Sequence, residues 1–156
     1  MTRINNHVVI MAGGVGSRFW PMSTEEHPKQ FIDVLGCGRT LLQLTADRFE
    51  SVCDKDKIWV VTNKKYIDIV KEQLPEIPVN NILCEPCRRN TAPCICYVSW
   101  RIKAIDPKAN VVVTPSDHIV TNPVEFRRVV SDCLKFTAET DSIVTLGMRP
   151  FRPETG

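Results

Sequence analysis

Two observations predict an α/β fold, with a mostly parallel sheet and helices on both faces, for these 156 residues. First, five short runs are rich in Val and Ile and do not alternate cleanly between apolar and polar residues. Such runs are typical of strands buried on both faces of a parallel sheet. Second, helical patterns lie between the runs, and this alternation predicts right-handed crossovers. The predicted strands are His7–Met11, Lys57–Thr62, Asn81–Cys84, Asn110–Thr114 and Ser142–Leu146.

Each of the first four predicted strands is followed by a predicted helix. Thr40 and Gln43 form a capping box that opens the first helix. The second is a short apolar stripe that ends at Pro75, and the third opens near Asn90–Pro93. Asn122 caps the fourth, with a proline at the first helical position. The elements predict one Rossmann-like domain, in which ligands bind beyond the carboxyl ends of the strands.

Composition excludes several classes of protein. Hydrophobic residues make up 43% and charged residues 24% of the chain, which is ordinary for a globular domain. The net charge is +2 with no basic half or tail, so nucleic-acid binding is not expected. No apolar run reaches the roughly 18–20 residues of a membrane span, and no signal peptide is recognisable. A cytoplasmic protein without membrane contact is therefore expected.

The chain has seven cysteines, an odd number that argues against a disulfide framework. Four of them have the spacing C-x2-C-x6-C-x-C, which leaves a zinc or iron–sulfur site as an alternative: Cys84, Cys87, Cys94 and Cys96. However, Cys94 and Cys96 fall in a predicted helix, where a two-residue step places side chains on nearly opposite faces. The favoured interpretation is that these cysteines act as small buried hydrophobes.

The loop after the first strand contains three glycines within four positions. In Met11-Ala12-Gly13-Gly14-Val15-Gly16-Ser17-Arg18, the glycines let backbone amides approach an anion closely. The loop is not a P-loop, because no Gly-Lys-Ser/Thr follows. It is also a poor dinucleotide fingerprint, since Arg18 stands where the third glycine should be.

Two cations accompany this loop. Pro21 and Pro28 bracket a segment that returns Lys29 towards the glycine-rich turn. Arg18, as a planar fork, and Lys29, as a point charge, could then share a polyphosphate. Taken singly, each would be an ordinary solvated surface cation. Together with the glycines they predict a polyphosphate site.

These residues carry a family resemblance. The segment A-G-G-V-G-S-R-F-W-P-M-S, followed by P-K-Q-F, resembles the signature of sugar-1-phosphate nucleotidyltransferases. Its W-P-M-S and P-K-Q-F details resemble the mannose-1-phosphate guanylyltransferase branch. The resemblance continues through E-P-C-R-R-N-T-A-P at 85–93, T-P-S-D-H at 114–118 and R-P-E-T-G at 152–156. It implies a fold of the nucleotide-diphospho-sugar transferase type, with GTP and mannose 1-phosphate as substrates and Mg²⁺ as cofactor.

The resemblance also implies roles for residues of the first motif. Arg18 would stabilise the leaving pyrophosphate and Lys29 the phosphates around the transition state, so both are predicted catalytic residues. The remaining predicted nucleotide contacts of this motif are Ala12, Gly13, Gly14, Gly16 and Ser17.

The second motif is expected to contact the nucleoside. A carboxylate at Glu85 could accept hydrogen bonds from N1–H and the 2-amino group of guanine, which would exclude adenine. The alternative is a surface glutamate in a loop. Asn90 and Thr91 stand at a helix start, where capping is their ordinary role. The resemblance implies that they contact the base or ribose.

Asp117, in the third motif, follows the fourth strand and suits Mg²⁺ held jointly with phosphates. Capping a turn or pairing with Lys29 are the alternatives. In the resembling family a second Asp much further along joins it, and no Asp follows Asp141 in this sequence. His118 is expected to support or pack rather than to act as a nucleophile.

The final residues are expected to begin a sugar-phosphate pocket. By resemblance, Gly147 would allow backbone contact with the sugar and Glu154 would bind its hydroxyls. Residues 1–156 are therefore expected to be the nucleotide-binding front part of a longer nucleotidyltransferase domain, cut before most of the sugar pocket. Two alternatives stay open: a GTP-binding module without turnover, and a nucleotidyltransferase for a different base or sugar. An exposed strand edge would also allow a homodimer to form.

Overall fold

A parallel four-stranded sheet organises the molecule in the computed structural model, which describes residues 5–14, 19–85 and 90–147. The strands are β1 (Asn6–Met11), β2 (Ile58–Thr62), β3 (Ile82–Cys84) and β4 (Asn110–Pro115). They lie in the order β3-β2-β1-β4, and every neighbouring pair is parallel. The prediction of an α/β fold with a parallel sheet is confirmed, and the first four predicted strands agree with the observed ones to within one residue at each end.

The predicted fifth strand is wrong. Residues 142–147 have no regular secondary structure and are exposed, with Ile143 97% accessible. In the described part of the chain the sheet ends at β4, which pairs with β1 on one side only. An apolar run becomes a strand only where a neighbouring strand satisfies its backbone N–H and C=O groups. The Val and Ile content of residues 142–146 could not show whether such a neighbour exists.

The four predicted helices are confirmed as α1 (Leu41–Arg48), α2 (Ile67–Gln73), α3 (Thr91–Ile105) and α4 (Pro123–Glu139). The capping box of α1 is present, because the Gln43 amide donates to Thr40 Oγ1 and Gln43 Oε1 accepts from the Thr40 amide. At α4, Asn122 Oδ1 accepts from the Glu125 amide. None of these helices, within the ranges that the structure describes, is long and apolar enough to cross a membrane.

Helices cover both faces of the sheet, as the sequence predicts. On one face, Val8 and Ile10 of β1 belong to a buried cluster with residues of α1, α2 and α4. On the other face, Val9 belongs to a second cluster with Val98 and Ile102 of α3. Because β1 is covered on both sides, its residues from His7 to Ile10 are all buried. The clusters fix β1 firmly, and with it the loop that leaves its carboxyl end.

Candidate functional site

The loops that follow β1, β3 and β4 leave the same edge of the sheet, since all strands are parallel. This edge carries Gly13 and Gly14 after β1, Glu85 after β3 and Asp117 after β4. Three of the four sequence motifs therefore meet where the topology predicts a ligand site. Four predicted site residues lie outside the described residues: Gly16, Ser17, Arg18 and Glu154.

The start of the glycine-rich loop is held by side chains from two neighbouring segments. The Ala12 amide donates to the Val61 carbonyl at 2.8 Å. The Ala12 carbonyl accepts from Thr62 Oγ1 at 2.9 Å and from Gln30 Nε2 at 3.3 Å. The Gly14 carbonyl accepts from the same Gln30 nitrogen at 2.7 Å. The backbone from Ala12 to Gly14 is thus fixed from the protein side.

Sequence reasoning assigned no role to Gln30 or Thr62. Both are buried although both are polar. Gln30 stands inside P-K-Q-F, next to the predicted catalytic Lys29, so a glutamine in that motif was the signal that could have found it. Thr62 ends a strand of apolar residues and gave no such signal.

Glu85 lies beside the glycine-rich loop. Its amide donates to the Thr62 carbonyl at 2.9 Å, and its side chain is half-buried. A Cβ on Gly13 would lie 3.9 Å from Glu85 Oε2, an ordinary van der Waals distance. At Gly14 an added Cβ would meet open space. Neither glycine has a positive φ, so their missing side chains leave room at this surface rather than serving a tight turn.

Lys29 and Asp117 form an ion pair across the site. Lys29 begins a short 3-10 helix, Lys29–Phe31, and its Nζ lies 2.7 Å from Asp117 Oδ2. The two side chains are 29% and 32% exposed. Lys29 Nζ also lies 5.9 Å from the centroid of the Phe19 ring. Of the open alternatives for Asp117, pairing with Lys29 is the one that the structure contains.

Helix α1 supports the loop that carries Asp117. Arg48 Nη2 donates to the His118 carbonyl at 2.8 Å, and the Thr45 hydroxyl lies 3.4 Å from the Ser116 carbonyl. The Ser116 amide donates to the Met11 carbonyl at 3.1 Å. Arg48 is buried, and this burial lowers the pKa of its guanidinium. The sequence indicated no role at this loop for either Thr45 or Arg48.

Apart from Glu85, the residues that the sequence predicts to contact the nucleoside and the sugar are exposed where the structure describes them. Asn90 and Thr91 are exposed at the start of α3. Asn90 has a φ of 68° and makes no side-chain capping hydrogen bond, so the structure does not contain the capping alternative for Asn90. Gly147 is exposed within residues 142–147, and a Cβ on it would meet open space.

The cysteines show no metal geometry in the described ranges, where no group of three or more His, Cys, Asp or Glu residues could hold an ion. Cys94 is buried in α3 and Cys96 is exposed, so the interpretation as a small buried hydrophobe fits Cys94 and is wrong for Cys96. Cys87 lies outside the described residues. The zinc alternative gains no support from the described part.

The profile of the family described as nucleotidyl transferase matches residues 7–156. This match spans nearly the whole chain and includes every motif of the candidate site. The chain belongs to the nucleotidyl transferase family. The glycine-rich loop, Glu85 and the Lys29–Asp117 pair are therefore parts of a nucleotidyl transferase domain.

Curated relatives share the sequence at moderate identity. A mannose-1-phosphate guanylyltransferase of Escherichia coli is 38% identical over 152 residues, which cover 95% of this chain and 32% of that protein. Its counterpart in E. coli strain K12 is 36% identical over 160 residues, with 100% and 33% covered. The xanthan biosynthesis protein XanB of Xanthomonas campestris is 36% identical over 150 residues, with 95% and 32% covered. The chain spans about a third of the length of these relatives.

Solved structures share the fold. A structure described as mannose-1-phosphate geranyltransferase from Thermus thermophilus matches with a TM-score of 0.74 and 26% identity, over 85% of this chain and 38% of that one. A mannose-6-phosphate isomerase structure from Helicobacter pylori matches with a TM-score of 0.66 and 21% identity, over 87% and 47%. The second match concerns the fold alone.

Proposed function

We propose that the chain is the nucleotide-binding part of a mannose-1-phosphate guanylyltransferase, which makes GDP-mannose and pyrophosphate from GTP and mannose 1-phosphate. The observation that carries this proposal is the Lys29–Asp117 pair, 2.7 Å between Nζ and Oδ2, beside a glycine-rich loop at the carboxyl edge of the sheet. A cation and a carboxylate in that position suit a triphosphate and its divalent metal. The relatives of about 36–38% identity agree in their names with this reaction.

The triphosphate would lie against the loop after β1. The fixed backbone of Gly13 and Gly14 offers a surface without side chains, and Lys29 would supply a cation beside it. We propose that Gly16, Ser17 and Arg18 continue this phosphate site. The attacking oxygen belongs to the phosphate of mannose 1-phosphate, which is already anionic, so the chain needs no strong base. Its residues would act by positioning the in-line attack and neutralising charge.

Guanine would be recognised by Glu85. The carboxylate lies next to the glycine-rich loop, as the 3.9 Å distance from a Cβ on Gly13 indicates. A carboxylate accepts from both N1–H and the 2-amino group of guanine, and adenine has neither donor on that edge. Asn90 and Thr91, at the exposed start of α3, are proposed to contact the base or ribose.

Magnesium would be held by Asp117 together with the phosphates. Mg²⁺ is usually bound through one or two carboxylates and substrate phosphates rather than by an all-protein cage, so a single described carboxylate fits. When bound, the ion would neutralise phosphate charge. Lys29 would then contact the phosphates instead of Asp117. The phosphates are also anionic, whereas the Asp117 carboxylate would be taken up by the ion.

The proposal for the sugar-binding residues is based on the sequence motifs. Gly147 and Glu154 are proposed as sugar contacts. A homodimer and a cytoplasmic location stay predictions.

A specific alternative is a GTP-binding module without turnover, since the chain spans about a third of its relatives' length. Two measurements separate these functions. Calorimetry with GTP-Mg²⁺, compared with ATP, UTP and dTTP, tests nucleotide binding and base selectivity. A pyrophosphate-release assay with mannose 1-phosphate tests turnover. Preferential GTP binding with stimulated pyrophosphate release would support the transferase, and GTP binding alone would support the module. Absence of GTP binding would contradict both.

A further inference from the structure

Arg48 is a buried cation and the last residue of α1. Only 7% of the residue is exposed. Its Nε donates to the Leu44 carbonyl, and its Nη2 lies within hydrogen-bond distance of Thr45 Oγ1 and the His118 carbonyl. The guanidinium carbon lies 5.6 Å from the centroid of the Phe126 ring. Among the ion pairs of the described residues, none includes Arg48.

Such an arrangement is costly, because a buried guanidinium without a carboxylate partner loses its hydration and gains only hydrogen bonds in return. Leu44 and Thr45 lie on the same helix as Arg48, and these local hydrogen bonds do not require a side chain as long as arginine. The long-range contact is the His118 carbonyl, 70 residues away along the chain. The reason for an arginine here therefore lies at the loop after β4.

That loop is held on both sides of Asp117. The His118 carbonyl accepts from Arg48 at 2.8 Å, directly after Asp117. On the preceding residue, Ser116, the amide donates to the Met11 carbonyl at 3.1 Å, and the carbonyl lies 3.4 Å from the Thr45 hydroxyl. Because the backbone on either side is fixed, the position of the Asp117 backbone is also fixed, and from there its carboxylate pairs with Lys29.

We infer that Arg48 is a positioning residue, which holds the backbone of residues 116–118 so that the Asp117 carboxylate faces the bound metal and phosphates. This inference rests on the proposed role of Asp117 as a magnesium ligand. Outer residues that orient a metal ligand typically affect metal affinity by about 10–100-fold. Arg48 is buried and contacts the loop only through the His118 carbonyl, so its effect should appear in metal binding and hardly at all in metal-free nucleotide binding.

The test compares the wild-type chain with Arg48→Met, Arg48→Lys and Leu134→Ala. Methionine approximates the arginine stem and removes its donors, whereas lysine keeps the charge but loses the planar fork. Leu134 is buried in the core on α4, and its truncation destabilises the chain by a core cavity without touching the loop. The measurements are Mn²⁺ binding in the presence of GTP by electron paramagnetic resonance, GTP binding in EDTA, thermal stability, and amide hydrogen exchange of residues 114–120.

We expect Arg48→Met to weaken Mn²⁺ binding in the presence of GTP by about tenfold or more. It should change GTP affinity in EDTA less than about twofold, since the contact that this variant loses is to the loop that carries Asp117. Amide exchange in residues 114–120 should rise. Arg48→Lys should restore part of the metal affinity, and it takes the place of Arg48→Met if that variant does not fold. Leu134→Ala should lower thermal stability and leave Mn²⁺ binding near that of the wild type.

Each other outcome counts against the inference. Unchanged Mn²⁺ binding and unchanged exchange in both Arg48 variants would overturn it while leaving the proposed function standing. The same holds if Leu134→Ala weakens Mn²⁺ binding as much as Arg48→Met does, because general destabilisation would then explain the effect. A wild-type chain that binds GTP but no Mn²⁺ would instead remove the proposed role of Asp117, and the inference with it.

Discussion

Lys29 Nζ and Asp117 Oδ2 lie 2.7 Å apart and join the segment after β1 to the loop after β4. With about a third of each side chain exposed, such a pair contributes only about 0–1 kcal/mol to stability. Its position at the carboxyl edge of the sheet is better explained by a ligand that carries both signs of charge. A metal-bound triphosphate does so, and it would offer a new partner to each residue.

The first prediction concerns the cation of this pair. Lys29→Met should raise the dissociation constant of GTP-Mg²⁺ by about 10–100-fold, since a hydrogen bond to a charged group contributes about 1.5–3 kcal/mol. Unfolding free energy in urea should change by no more than about 1 kcal/mol. Calorimetry and urea titration measure the two effects. Lys55→Met is the matched control, because Lys55 pairs with Glu76 and takes no part in the site. Equal affinity in the Lys29 and Lys55 variants would remove Lys29 from the phosphate site.

The second prediction concerns base selectivity. Glu85→Gln should weaken GTP binding by about tenfold, because the amide has only one acceptor oxygen and its NH2 group would face one of the two guanine donors. ATP, which lacks both donors, should lose little. Competition binding with both nucleotides gives the two constants. Glu76→Gln serves as control, since Glu76 pairs with Lys55. A parallel loss for GTP and ATP would show that Glu85 does not read the base.

The third prediction compares two buried side-chain amides, each of which donates to two backbone carbonyls. Gln30 Nε2 donates to the carbonyls of Ala12 and Gly14. Asn81 Nδ2 donates to the carbonyls of Asp56 and Ile58, before the amino end of β3. Replacing either by alanine removes two hydrogen bonds to backbone carbonyls, which should cost about 1–3 kcal/mol of unfolding free energy.

Only Gln30→Ala should also affect ligand binding. It releases the start of the glycine-rich loop, so GTP affinity should fall by severalfold, while Asn81→Ala should keep wild-type affinity. Urea titration together with calorimetry distinguishes the two effects. If both variants lose affinity in proportion to their lost stability, Gln30 supports the fold and has no particular role at the site.

The fold was largely predictable because β1 to β4 are covered on both faces and so read as continuous apolar runs. Residues 142–146 have the same composition, but their pairing depends on a neighbouring strand that no local pattern reveals. The caps at Thr40 and Asn122 were predictable for a similar reason, since a cap contacts residues only three positions away.

The sequence predicted the residues in the motifs of the candidate site, but it did not predict the residues that hold the backbone of those motifs in place. Glycines, Lys29 and Asp117 indicate their chemistry by residue type and position. Gln30, Thr62 and Arg48 do not, because their roles depend on contacts with residues 18, 50 and 70 positions away. A single sequence does not show that these three side chains donate hydrogen bonds to backbone carbonyls of residues 12–14 and 118.

The last prediction concerns the cysteines, which differ sharply in their surroundings. Cys37 and Cys96 are exposed. Burial, aided by Asp54, raises the pKa of Cys53 to about 11, and burial, aided by Glu85, raises the pKa of Cys94. The thiolate is the reactive form, so at pH 8 only about one Cys53 in a thousand would be ionised.

In the native protein at pH 8, a disulfide reagent such as Ellman's reagent should therefore modify Cys37 and Cys96 first. Cys53 and Cys94 should react only slowly until urea unfolds the chain, after which their rates should approach those of the exposed thiols. Peptide mass spectrometry identifies the modified sites, and Cys37→Ser should remove one fast equivalent. Raising the pH towards 11 should speed the modification of Cys53, because its thiol is almost entirely un-ionised at pH 8. Modification of native Cys53 as fast as Cys37 would contradict the partial burial of Cys53 against the core.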